Sequence, residues 1–182
     1  MLCHTFLHVI RWLCVQGGCL YVSGAATVTA HNSVFANNQA SLGGAVAVTG
    51  ASTSFTCVGC RGEHNVASGS GGFAYASDGG QAQFVEGWLV NNTAALGGTV
   101  AVVSATLSID QTQIIGSIAT ADGGSIHASG ASTLTLTRVG LQSSHAGGSG
   151  GAVFARGVRA ACLCVCALSH VYVAALTDFL LL

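Results

Sequence analysis

A glycine pair that returns at a nearly fixed interval restricts this chain more than any other feature. Gly-Gly steps begin at Gly17, Gly43, Gly71, Gly97, Gly123 and Gly150, at intervals of 26, 28, 26, 26 and 27 residues. Self-similarity at such a period marks a solenoid, in which one repeat cannot bury its apolar face alone and must stack on its neighbours. Gly79-Gly80 and Gly147-Gly148 fall outside this register and read as turns.

The four residues after each pair's second glycine are CLYV, AVAV, FAYA, TVAV, SIHA and AVFA. The second and fourth positions are Leu20/Val22, Val46/Val48, Ala74/Ala76, Val100/Val102, Ile126/Ala128 and Val153/Ala155, all apolar and none aromatic. Strict alternation of this kind is the inward face of a strand. On that reading the first and third positions face outward. A second alternating run follows within the period, as in TVTA (27–30), STSFTC (52–57), ATLSID (105–110) and STLTLT (132–137). Short strands on every turn, with no helical stretch between, predict an all-β, single-stranded parallel β-helix. It has about six coils over residues 16–157, spaced by about 4.8 Å. The crossover preference of parallel strands makes it right-handed. A leucine-rich frame and a repeated calcium-binding nonapeptide are both missing.

The corners explain the glycines and a set of polar residues. A corner needs positive φ or close backbone approach, and glycine permits both. Six residues before the pair stand Asn37, Asn65, Asn91, Ser117 and Ser144. Asparagine tolerates the left-handed region and stacks its amide on equivalent amides, so these positions predict a polar ladder along one corner. Simple solvated turns are the alternative.

The segment Phe35-x-x-Asn38-x-Ala40-x-x-Gly43-Gly44-Ala45-Val46 resembles the repeat of polymorphic outer membrane proteins, with its F-x-x-N and G-G-A-[ILV] hallmarks. Leu89-x-x-Asn92-x-Ala94-x-x-Gly97-Gly98-Thr99-Val100 is a near match, and Gly150-Gly151-Ala152-Val153 keeps the second half. The resemblance covers about residues 16–156. It implies a right-handed β-helix of the pectin-lyase-like kind and an adhesin-like module at the cell surface or outside the cell. The transporter barrel of full-length members has no room in this chain.

Charge narrows the function classes. Only 6% of the residues are charged, the net charge is -1, and the basic residues are five arginines. No basic patch for nucleic acid can be assembled from that set. Polysaccharide lyases and glycoside hydrolases of the pectin-lyase-like superfamily are the enzymatic alternative, and a glycosidase needs two carboxylates facing one bond. The acids here are Glu63, Asp78, Glu86, Asp110, Asp122 and Asp178, and no two hold equivalent places in adjacent coils. No catalytic residue, metal ligand or cofactor is assigned. Cys57-x-x-Cys60-x-x-x-His64 has the look of half a zinc site, but with no second half visible, two buried apolar cysteines are the better reading. Asn91-Asn92-Thr93 is a glycosylation sequon.

The expected function is a non-enzymatic adhesive or structural module that binds a glycan or a surface protein along one side wall. The third position after each pair reads Tyr21, Ala47, Tyr75, Ala101, His127 and Phe154, with Phe73 and Thr99 flanking from the first position. Rings at regular spacing on a rigid wall suit stacking against sugars or an extended partner. A plain decorated β surface is the competing reading. Two flanks lie outside the repeat. Residues 1–15 place Leu2, Phe6, Val9 and Leu13 at helical spacing, which suits a capping helix, with a signal peptide as the rival. Residues 158–182 are apolar and cysteine-rich. They read as a cap, a membrane segment or non-native sequence, since 160–182 is long enough to span a bilayer.

Overall fold

The computed structural model describes residues 14–167, with side chains over 15–159. Within that span the chain is entirely β-structure, and every strand pairing is parallel. Three sheets wind the chain into a parallel β-solenoid. Sheet A holds Cys14–Gln16, Gln39–Leu42, Val66–Ser70, Thr93–Ala94, Ile118–Ala119 and His145–Ala146. Sheet B holds Leu20–Val22, Val46–Thr49, Ala74–Ser77, Val100–Val103, Ile126–Ser129 and Val153–Arg156, the six strands that follow the glycine pairs. Sheet C has a long row, Thr27–His31, Ser54–Val58, Gln81–Val85, Thr106–Asp110 and Thr133–Gln142. A short row, Val34–Ala36, Arg61–Glu63, Trp88–Val90 and Gln113–Ile115, joins it at Thr133–Gln142.

Both glycines of a pair are required, for different reasons. Gly43 has φ of 60°, and a Cβ there would collide with the carbonyl oxygen of Val46 in the same corner. Gly44 lies against the next coil, where a Cβ would meet the carbonyl oxygen of Gly72. The first glycine turns the chain and the second lets two coils touch backbone to backbone. Two of the other corners mix glycine with non-glycine residues in the left-handed region. One column reads Asn32, Gly59, Glu86, Gln111 and Arg138, and the other Asn37, His64, Asn91, Gly116 and Ser143, all at positive φ.

The twelve alternating positions of sheet B face inward as expected. Val46, Val48, Val100, Val102, Ile126 and Ala128 are fully buried, and Leu20 at the first coil is half-buried. They meet Phe55, Phe84, Leu107, Ile109, Leu134 and Leu136 from sheet C in one continuous core. The first position after each pair does not face outward. Ala45, Phe73, Thr99, Ser125 and Ala152 are all buried. The corner ends only at the second residue, so inward direction persists through the first one and alternation starts late.

Phe73 shows why that position varies in size. At the site equivalent to Phe35 and Leu89, its own coil has Gly62. A Cβ on Gly62 would stand 2.7 Å from the Phe73 ring and 2.9 Å from Leu89. The phenyl ring thus fills the volume that the missing side chain vacates. It packs on Phe35 and Phe84 at ring separations of 5.8 Å and 5.5 Å. Interiors are packed to crystal-like density, so such exchanges between facing columns preserve the fold.

At the flanks, Cys14–Gln16 is the first strand of sheet A, two residues before the expected start of the solenoid. The rest of the capping or signal segment, 1–13, lies outside the described residues. Arg159–Ala167 forms a further parallel strand on Thr133–Gln142. It takes up the first part of the stretch long enough to cross a bilayer, and residues 168–182 lie outside the described residues. Among the described residues no helix is long and apolar enough to cross a membrane.

Candidate functional site

The ring column of sheet B is the expected binding wall, and strand register brings its members into line. Tyr21 pairs with Ala47, Ala47 with Tyr75, Tyr75 with Ala101, Ala101 with His127 and His127 with Phe154. Tyr21 is 50% exposed, and Tyr75 and Phe154 are half-buried. Ala47 and Ala101 lie buried between the larger residues that flank them. Phe73 and Thr99 leave the wall altogether, since both point into the core.

His127 is also not the open contact that its outward position implied. It is 6% exposed and stacks nearly parallel on Phe154, at 5.0 Å and 11°. Rings on neighbouring coils stand one strand spacing apart, close enough to meet face to face. The stack removes that face from solvent. Its Nδ1 is buried and has no hydrogen-bond partner. Burial pushes the imidazole pKa below its ordinary value, and the Asp122 carboxylate opposes that shift weakly.

The polar corner ladder exists, one residue along from two of its expected members. Asn38 donates from its backbone N and from Nδ2 to Asn65 Oδ1, at 3.0 Å and 2.9 Å. Asn65 repeats both bonds to Asn92 Oδ1, each at 3.0 Å. Asn65 Nδ2 also donates to Phe35 O, and Asn92 Nδ2 to Gly62 O. Ser117 and Ser144 continue the column with hydroxyl contacts to Thr99 and Ser125. Asn65 is a member, but Asn37 and Asn91 occupy the adjacent left-handed column instead. Counting back six residues misses at Gly43 and Gly97 because the coils ending there are one residue shorter at this side than those ending at Gly71, Gly123 and Gly150. Ser68 and Gly69, for example, stand opposite Ser41 alone.

The cysteine motif is a disulfide, not a pair of thiols. Cys57 and Cys60 are bonded across one corner and are 1% and 3% exposed. That bond removes both sulfurs from any thiolate ligand set. His64 sits at an exposed left-handed corner beside Asn91 Nδ2, at 3.3 Å. No group of three or more His, Cys, Asp or Glu able to hold a metal occurs among the described residues.

The carboxylates remain scattered and mostly engaged. Asp110 takes a bidentate pair from Arg138 at 3.0 Å and 2.8 Å, and Glu63 pairs with Arg61. Asp78 accepts from Thr49 and Ser77, and Asp122 from the backbone N of Ser149. Glu63 stands in register with Ala36 and Val90, and Asp110 with Val85 and Thr137, so neither meets a second acid across coils. Asp178 lies outside the described residues.

Two exposed features escaped the sequence reading. Trp88, 52% exposed, stands on the short row between Arg61 and Gln113. Two outer columns of the long row are uncharged and polar, with a shallow depression lined in part by Ser54, Thr56, Gln81, Gln83, Thr106 and Ser108, while the third outer column is His31, Val58, Val85, Asp110 and Thr137. No family model matches this chain, and no curated protein or solved structure matches it either.

Proposed function

We propose that this chain is a non-enzymatic β-solenoid module of the cell surface or extracellular space that binds a glycan or protein partner along sheet B. The observation that carries the reading is the single in-register column in which Tyr21 and Tyr75 alternate with alanine on a rigid parallel sheet. Ring faces separated by two coils, about 10 Å, suit contacts repeated along an extended chain. His127 and Phe154 form a closed stack at the far end of that column and act as its support. The Cys57–Cys60 disulfide supports an oxidising location, where such bonds persist. The resemblance to polymorphic outer membrane protein repeats points the same way. Polysaccharide cleavage is the less favoured reading, because the engaged acids of the described residues do not pair across coils.

The test is retention on a panel of immobilised polysaccharides and on intact cell surfaces. Tyr21→Ala and Tyr75→Ala should leave the circular dichroism spectrum unchanged and weaken retention, most of all together. Equal retention by parent and double variant would remove sheet B as the binding face.

A further inference from the structure

The outer face of the long row in sheet C has a regularity that adhesion through sheet B does not use. Two columns run across five coils. The first is Thr27, Ser54, Gln81, Thr106 and Thr133, and the second is Thr29, Thr56, Gln83, Ser108 and Thr135. All ten side chains carry a hydroxyl or a primary amide, none is charged, and none is buried. The residues between them, Val28, Phe55, Ala82, Leu107 and Leu134, point into the core and anchor the face from behind. No bulge interrupts the register from Thr27–His31 to Thr133–Gln142 over these positions. Low overall charge does not by itself produce such a face. The short row presents Val34, Arg61, Trp88 and Gln113, and sheet A presents Gln39, Val66, Thr93, Ile118 and His145.

The resulting mesh has two fixed dimensions. Neighbouring coils are about 4.8 Å apart, and positions i and i+2 along a strand are about 6.6 Å apart. A prism face of hexagonal ice repeats its water oxygens on a rectangular mesh of nearly the same two dimensions. Hydroxyls held at that spacing by a backbone ladder order bound water without a further loss of chain entropy, and water-bridged contacts of this kind count nearly as much as direct ones. Threonine suits the task twice, because its hydroxyl holds a water and its methyl fills the gap to the next. Charged side chains would each impose their own hydration shell, and the ten positions of these two columns have none; Asp110 in the third outer column and Arg159 beyond Thr133 mark the limits of the mesh.

We propose that the Thr/Ser/Gln face of sheet C is an ice-binding surface. Gln81 and Gln83 are its weak row, since their longer side chains rise above the hydroxyl plane. Thr56 bonds toward Gln83 Oε1 only at 3.5 Å. The site is separate from the ring column, so it stands or falls independently of glycan or partner binding on sheet B.

The experiment measures thermal hysteresis and ice-crystal shape with the full chain, and circular dichroism verifies the fold of each variant. The parent should open a gap between melting and freezing points and facet the crystals. The pair Thr56→Lys with Ser108→Lys should reduce the gap to that of an unrelated protein at equal concentration. The pair Gln81→Thr with Gln83→Thr completes the hydroxyl mesh and should widen the gap, while Tyr75→Ala should leave it unchanged. A parent without hysteresis overturns the proposal, and so does a gap that survives both lysines. A gap that narrows on replacing the glutamines would overturn the hydroxyl mesh as the geometry that contacts ice.

Discussion

Phe73→Ala separates a core role from a surface role for the largest residue that follows a glycine pair. The ring is 0% exposed and touches two other phenyl rings. Truncation removes its burial and leaves a cavity that Gly62, having no side chain, cannot fill. Such losses cost about 3–5 kcal/mol, whereas a surface substitution stays within about 0.5 kcal/mol. The reciprocal change, Gly62→Leu, drives atoms toward a ring already 2.7 Å from the first added carbon. Overpacking of that kind costs about 1–3 kcal/mol. If the two residues share one volume, the double variant Gly62→Leu/Phe73→Ala restores in coil three the arrangement that Leu89 makes in coil four. It should then be more stable than the sum of its singles by about 1–3 kcal/mol. Urea denaturation of parent, both singles and the double gives all four values. Additive losses, or a Phe73→Ala cost under about 1 kcal/mol, would refute the shared-volume reasoning.

Further outcomes follow from the corners and the buried groups. Asn65→Ala strips partners from the backbone N and Nδ2 of Asn38 and from Phe35 O, at about 1–3 kcal/mol for each group left dry, while Asn92 Oδ1 keeps the bond from the backbone N of residue 65. Asn91→Gly, at an exposed left-handed corner, should change stability by less than about 1 kcal/mol, and denaturant midpoints compare the two. His127 has its pKa lowered in the fold, so the unfolded chain binds its proton first as pH falls. Its contribution is complete above the unfolded pKa of about 6.5 and is lost on acidification toward the lower folded value. Melting curves from neutral to mildly acidic pH should fall more steeply for the parent than for His127→Phe. Reduction of Cys57–Cys60, which closes a loop of sequence separation 3, should cost about 2 kcal/mol by chain entropy, read as a lower melting temperature in dithiothreitol.

The winding of the chain was legible because its cause is local and repeated. Each glycine pair announces a corner, and the alternation behind it places Val46, Val100 and Ile126 inward without reference to other coils. Direction at the corner itself was not legible. Phe73 and Thr99 sit where alternation has not yet begun, and their inward turn depends on the glycine geometry just before them. The ladder was readable in kind but not in register, since the coils ending at Gly43 and Gly97 are one residue shorter before the pair than the other three. His127 was placed correctly on the outer column, but its burial depends on Phe154, which lies 27 residues away in sequence and one coil away in space. The paired hydroxyls of Thr27 and Thr29 or Thr133 and Thr135 were visible in the alternating runs. Their meaning as a grid appears only once five coils are in register.

Parallel stacking in a defined register underlies every statement above, and nuclear Overhauser contacts measure it most directly. Amide and Hα contacts should link Gln81–Val85 to Ser54–Val58 on one side and to Thr106–Asp110 on the other. Ala82 should lie beside Phe55 and Leu107, and Phe84 beside Cys57 and Ile109, with both neighbours running in the same direction. Close Hα–Hα contacts of an antiparallel hairpin, or pairing displaced by one residue, would contradict the solenoid and both of its proposed surfaces.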